Sequence, residues 1–192
     1  MGAADLFWRP TLAGGEALSL REAVALGIRL VADWVDLELL AAVARRFAHC
    51  SPVVPGKVSP GVDASALAAL ENVHLLVRKA FAELPGYCRG FDVALLPFRV
   101  NELTVHANPL KGREYLAAGL PVVSTDFPEV RELGPCRIGT DTRGYLEQVA
   151  EARAGPRGSL PERAERVRSE SWEARVEEIR RAVAERTLSL RS

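Results

Sequence analysis

The sequence predicts an α/β fold: a Rossmann-like parallel sheet with helices on both faces, followed by a C-terminal helical tail. Three observations carry this. Phe91–Pro97 (FDVALLP) is an unbroken apolar run, too short for a helix and typical of a strand buried on both faces. Leu120–Ser124 (LPVVS) repeats the pattern, and Cys136–Gly139 is a third case. Helix signals lie between these runs, and short buried strands alternating with helices imply right-handed βαβ units.

Each element has its own justification. Residues 1–22, with Pro10, Gly14 and Gly15, show no period and read as a loosely ordered N-terminal segment. Val24–Val31 is a short apolar run that suits a strand, with Arg29 awkward inside it. Leu37, Leu40, Val43, Ala44 and Phe47 recur at helical spacing, capped by Asp33 or Asp36. Ser51–Gly61 is rich in Pro and Gly, so any strand there is short. Asp63–Glu71 and Ala80–Arg89 read as small helices around an apolar strand, Asn72–Val77. Ser159 and Glu162 form an S-x-x-E capping box that opens the tail. Within the tail Trp172, Val176, Ile179 and Val183 mark one apolar stripe. The expected organisation is therefore an N-terminal segment (1–22), a Rossmann-like domain (23–158) and a helical tail (159–192).

Composition narrows the function. Hydrophobic residues make up 48% and charged ones 26%, enough for a packed core. Lys+Arg and Asp+Glu are both 25, so the basic excess of a nucleic-acid surface is missing. The three cysteines (Cys50, Cys88, Cys136) are odd in number and far apart, which fits neither a disulfide framework nor a metal motif. Arg29, Asp33 and Asp36 interrupt the best apolar stretch, so no transmembrane segment is expected. A soluble, cytoplasmic protein follows, with peripheral contact at the inner membrane surface left open. Motifs for dinucleotides, NTP hydrolysis, serine hydrolysis or a dedicated metal site are absent.

One helix carries the richest punctuation. Asn108 suits an N-cap and Pro109 the first helical position. Gly119 suits a left-handed C-cap, and Pro121 prevents continuation, giving a helix over Pro109–Ala118. It follows the loop that leaves the FDVALLP strand, at the carboxyl edge where open parallel sheets bind ligands. A helix N-terminus there offers free N–H groups and partial positive charge, which suits phosphate. Lys111 adds a full charge in the first turn, and Glu114 adds a carboxylate able to accept from a pair of ribose hydroxyls. The same residues also make an ordinary solvated i,i+3 pair. Arg99, after FDVALLPF, and Arg78-Lys79, after the NVHLLV strand, are weaker phosphate candidates.

The segment NPLKGREYLAAGLPVVSTD, preceded by GFDVALLPF and followed by PEV, resembles the donor-binding half of retaining nucleotide-sugar glycosyltransferases of the GT-B fold. It is most similar to the bacterial group reading NP-x-K-x-x-E-Y-x-A-x-G-x-P-V-V. The similarity extends over roughly Ala32–Ala184, and the Asn108–Ser124 segment is its specific part. The resemblance implies a C-terminal GT-B half whose donor is a nucleotide diphosphate sugar, with no metal cofactor required. It implies that Glu114 holds the ribose, and that Asn108, Pro109, Leu110 and Lys111 receive the diphosphate at the helix start. Lys111 then stabilises the departing charge.

The departures are equally informative. The wider family often has a Glu eight residues before the ribose carboxylate, and His106 stands there instead, a weaker catalytic candidate. Arg29 stands where the group tends to have Gly beside the donor phosphates; it is either a phosphate contact or an obstruction. Gly112 costs its helix about 1 kcal/mol relative to Ala. Only one of the two Rossmann-like domains of a GT-B enzyme is present. The expected partners are thus the nucleotide-sugar donor and either a separate acceptor-domain protein or a second copy through self-association. A non-catalytic, degenerate or regulatory nucleotide-sugar-binding fragment is the alternative.

Overall fold

The computed structural model describes residues 23–25, 30–76, 80, 83–102, 104–106, 108, 110–155, 161–169 and 171–189. The N-terminal segment, Arg29, Arg78-Lys79, Pro109 and Ser159 of the capping box lie outside them.

Six strands form a parallel sheet: β1 (Ala23–Ala25), β3 (Ser51–Pro55), β5 (His74–Leu76), β6 (Val93–Leu96), β7 (Val122–Thr125) and β8 (Cys136–Gly139). Their spatial order is β5-β3-β1-β6-β7-β8. Chain order thus runs outward in one direction from β1 and in the other from β6, with a switch between these neighbours. The register sets Ala94 beside Val122 and Val122 beside Cys136, all parallel. The expected single strand over Val24–Val31 is corrected. That run divides into β1 and β2 (Leu30–Val31), and β2 joins a separate two-stranded ladder with β4 (Lys57–Val58).

All four residues of β6 are fully buried, which accounts for its unbroken apolar sequence. One layer on the sheet is α1 (Leu37–Arg46), α2 (Ser65–Ala68) and α6 (Thr142–Ala154), whose core includes Leu40, Val43, Leu67, Leu95, Tyr145 and Val149. Against the second core, with Tyr87, Leu96, Tyr115, Leu116, Leu133 and Val167, pack α3 (Leu84–Arg89), α4 (Leu110–Ala117), α5 (Pro128–Leu133) and α7 (Pro161–Arg168). Asp36 caps α1, its Oδ1 accepting from the Leu39 N–H at 2.9 Å.

Two helices make up the described tail. Val167 of α7 is buried, and Arg163 donates to the Gly119 carbonyl at 2.9 Å, fixing α7 to the end of α4. By contrast, α8 (Trp172–Ser189) exposes Val176, Ile179 and Val183. No helix among the described residues is long and apolar enough to cross a membrane.

Candidate functional site

The site is built around the start of α4. This helix ends as its sequence requires. Gly119 has φ +77°, its N–H donates to Leu116, and the Leu120 N–H donates to Tyr115, a Schellman arrangement. The buried end leads directly into β7, so the opposite, N-terminal end is held at the carboxyl edge of the strands. Gly112 is buried on this helix, so its missing side chain belongs to a packed face.

Lys111 and Glu114 are brought together as an ion pair with each other, Lys111 the more buried of the two. The Cys88 thiol of α3 lies near enough to feel both. Burial pushes its pKa up, Glu114 adds to the rise and Lys111 opposes it. The Asn108 side-chain oxygen accepts from Arg113 Nη1 at 2.5 Å. The other guanidinium nitrogen holds Glu129 of α5 at 2.6 Å. Arg113 therefore ties the loop before α4 to the neighbouring helix. Leu110 is 62% exposed at the helix mouth, placing an apolar side chain beside the polar pair. His106 is exposed at the end of a 3₁₀ turn over Thr104–His106, whose first residue is buried. That turn is pinned from within, Thr104 donating to the Arg99 carbonyl and accepting from the Asn101 N–H at 2.8 Å.

Arg99 goes elsewhere. Its N–H donates to the Trp34 carbonyl at 2.8 Å, and it lines a cleft of about 330 Å³ with Asp36, Phe98, Asp126, Thr140 and Asp141. In that cleft Asp126 takes both nitrogens of the Arg131 fork at 2.6 Å, which lowers its pKa. Asp141 caps α6, accepting from the Gly144 N–H at 2.6 Å. The carboxyl edge thus carries two regions: the α4 start with Lys111 and Glu114, and a carboxylate-lined cleft with Arg99. Sequence reasoning missed Arg113 and the cleft. An arginine five residues after an asparagine carries no rule, and Asp36 and Asp141 announce only helix caps. Among the described residues no cluster of three or more His, Cys, Asp or Glu side chains is arranged to hold a metal ion.

No protein-family model and no curated protein sequence matches the chain. Solved structures do. An α,α-trehalose 6-phosphate synthase from Burkholderia multivorans matches with TM-score 0.54 at 16% identity, over 90% of this chain and 45% of that one. An O-GlcNAc transferase mutant from Thermobaculum terrenum matches with TM-score 0.55 at 16% identity, over 77% of this chain and 31% of that one. The C-terminal domain of a group 1 family glycosyl transferase from Francisella tularensis matches with TM-score 0.54 at 12% identity, over 70% of this chain and 76% of that domain. This chain therefore spans less than half of the synthase and of the O-GlcNAc transferase, and most of the isolated domain. At these identities the likeness is one of fold: a Rossmann-like α/β domain of the kind found in GT-B glycosyltransferases.

Proposed function

We propose that the chain is the C-terminal, donor-binding domain of a retaining glycosyltransferase that uses a nucleotide diphosphate sugar. The observation that carries this reading is the start of α4 in the connection that leaves the carboxyl end of β6, with Lys111 and Glu114 on its first turns. The fold shared with solved glycosyltransferases supports it. In the proposed mechanism the N–H groups at the helix start and the Lys111 ammonium take up the negative charge of the departing diphosphate. Glu114 accepts hydrogen bonds from the ribose hydroxyls, and Leu110 covers one side of the donor. Arg113 keeps the Asn108 loop in place. The acceptor is held by a second domain, from another chain or elsewhere in a longer one, because transfer needs both substrates positioned at once.

Ligand entry has to break the Lys111–Glu114 pair, freeing the ammonium for phosphate and the carboxylate for ribose. Calorimetric titration with UDP, GDP and dTDP tests the reading. One of them is expected to bind at micromolar to low millimolar strength, and Glu114→Ala to weaken it about tenfold or more, the loss of charged hydrogen bonds. No binding of any nucleotide at millimolar concentration removes the reading. The same ion pair favours a second reading, a non-catalytic fragment in which Lys111 and Glu114 only stabilise the helix. A neighbouring reading frame encoding an acceptor-type Rossmann domain separates the two, since it supports a split enzyme.

A further inference from the structure

Helix α8 stands out from the fold. Every side chain from Arg175 to Arg186 is exposed, with Val176 at 44%, Ile179 at 63% and Val183 at 60%. A helix so placed gains little from its own domain, and most helical stability in proteins comes from packing an apolar face against something else. Something has to cover its apolar stripe.

The spacing of the stripe indicates what does. Positions 172, 176, 179 and 183 are apolar, separated by four, three and four residues, the a/d seam of a coiled coil. This spacing reads the same from either end. A second helix of identical sequence, laid antiparallel about a two-fold axis between Glu177 and Glu178, sets position 172 against 183 and 176 against 179. Every layer then places apolar on apolar. A two-fold contact needs a self-complementary patch of this kind, and an unrelated partner does not.

Charge selects the same arrangement. In the antiparallel pair the residues flanking the seam bring Glu173 opposite the partner's Arg180, twice by symmetry. In a parallel, in-register pair Arg175 faces the partner's Arg180, also twice, and repels it. Arg180 is held within its own helix only loosely, 3.9 Å from Glu177, so its guanidinium is available. We propose that α8 is a dimerisation helix that pairs antiparallel with α8 of a second copy of this chain. The surface does not depend on donor binding, and its failure leaves that reading intact.

A pair of single helices makes a small interface, of the size class seen in weak, transient contacts, so the dimer is expected to dissociate on dilution. Sedimentation velocity from about 1 to 500 µM of the intact chain reads this directly. The expected result is a monomer–dimer equilibrium that Val176→Ser with Ile179→Ser abolishes, while far-UV circular dichroism keeps the sheet signal. Because apolar substitutions can disturb folding, charged residues supply the second arm. Glu173→Arg and Arg180→Glu singly turn two attractive pairs repulsive and weaken the dimer about tenfold, and the two together restore it. A monomer at every concentration overturns the proposal. So does a dimer indifferent to the apolar pair, or a charge swap without recovery. A chain that stays monomeric but captures a separate acceptor-type Rossmann domain through α8 also overturns it.

Discussion

A carboxylate and an ammonium three residues apart on a helix satisfy each other before any ligand arrives. The pair Lys111–Glu114 is half-open to water, so its own worth is about 0.2–0.5 kcal/mol at most. That small value makes it usable: Glu114→Ala is expected to leave thermal stability nearly unchanged while removing nucleotide affinity, a combination that a purely structural role does not produce. The sequence showed both side chains and could not rank their two uses, because ion pairing and ligand binding demand the same residue types. A second residue, His74 on edge strand β5, carries a pH effect. Burial lowers its pKa, so the fold favours the neutral ring. Its stabilising contribution is full above the ordinary histidine value of about 6.5 and is lost as pH falls through the lowered folded value. The melting temperature is expected to drop on acidification below neutrality, and His74→Gln to flatten that part of the profile. Equal slopes for both proteins remove the assignment.

At the scale of elements, the joints are tighter than the elements themselves. Between β8 and α6, a Cβ built on Gly139 falls 2.4 Å from Tyr145 Cα and 2.5 Å from its nitrogen. Both are backbone atoms that cannot swing aside, and Tyr145 is itself fully buried, donating to the Val123 carbonyl at 3.2 Å. Gly139→Ala is therefore expected to cost about 1–3 kcal/mol or more, read as a shifted midpoint in urea. An unchanged midpoint would show that the joint has slack. This is also where legibility in the sequence divides. The strands β6 and β7 were readable because burial on both faces favours apolar residues, whereas β8 is an edge strand with Arg137 exposed and showed a weaker signal. The start of α1 and the end of α4 were readable because Asp36 and Gly119 answer local backbone needs. The division of Val24–Val31 between two sheets was not, since long-range pairing decides it. The Arg113 fork and the Arg99 cleft were equally hidden, being made by residues distant in sequence.

For the whole molecule, the two tail helices differ in standing. Val167 lies in the core with Tyr115 and Leu116, so α7 is part of the domain, whereas α8 is exposed along its middle. A chain ending after Ser169 is expected to melt within about 4 °C of the full chain at low micromolar concentration; a larger loss means that α8 supports the sheet. The strand order has a further consequence for how the chain comes together. On one flank β1, β3 and β5 follow one another closely along the chain, as do β6, β7 and β8 on the other. Among the described residues the sheet ladder joining the flanks is β1 to β6, where Val24 pairs with Val93 and Ala25 with Ala94, with an isolated bridge from Val35 to Phe98 beside it. Each flank closes short loops, while the seam closes a long one and bears the larger entropy cost. The seam should therefore assemble late and open early. A molecule seated at the carboxyl ends of β1 and β6 would rivet two half-sheets, and its grip should register as slowed amide exchange along that ladder.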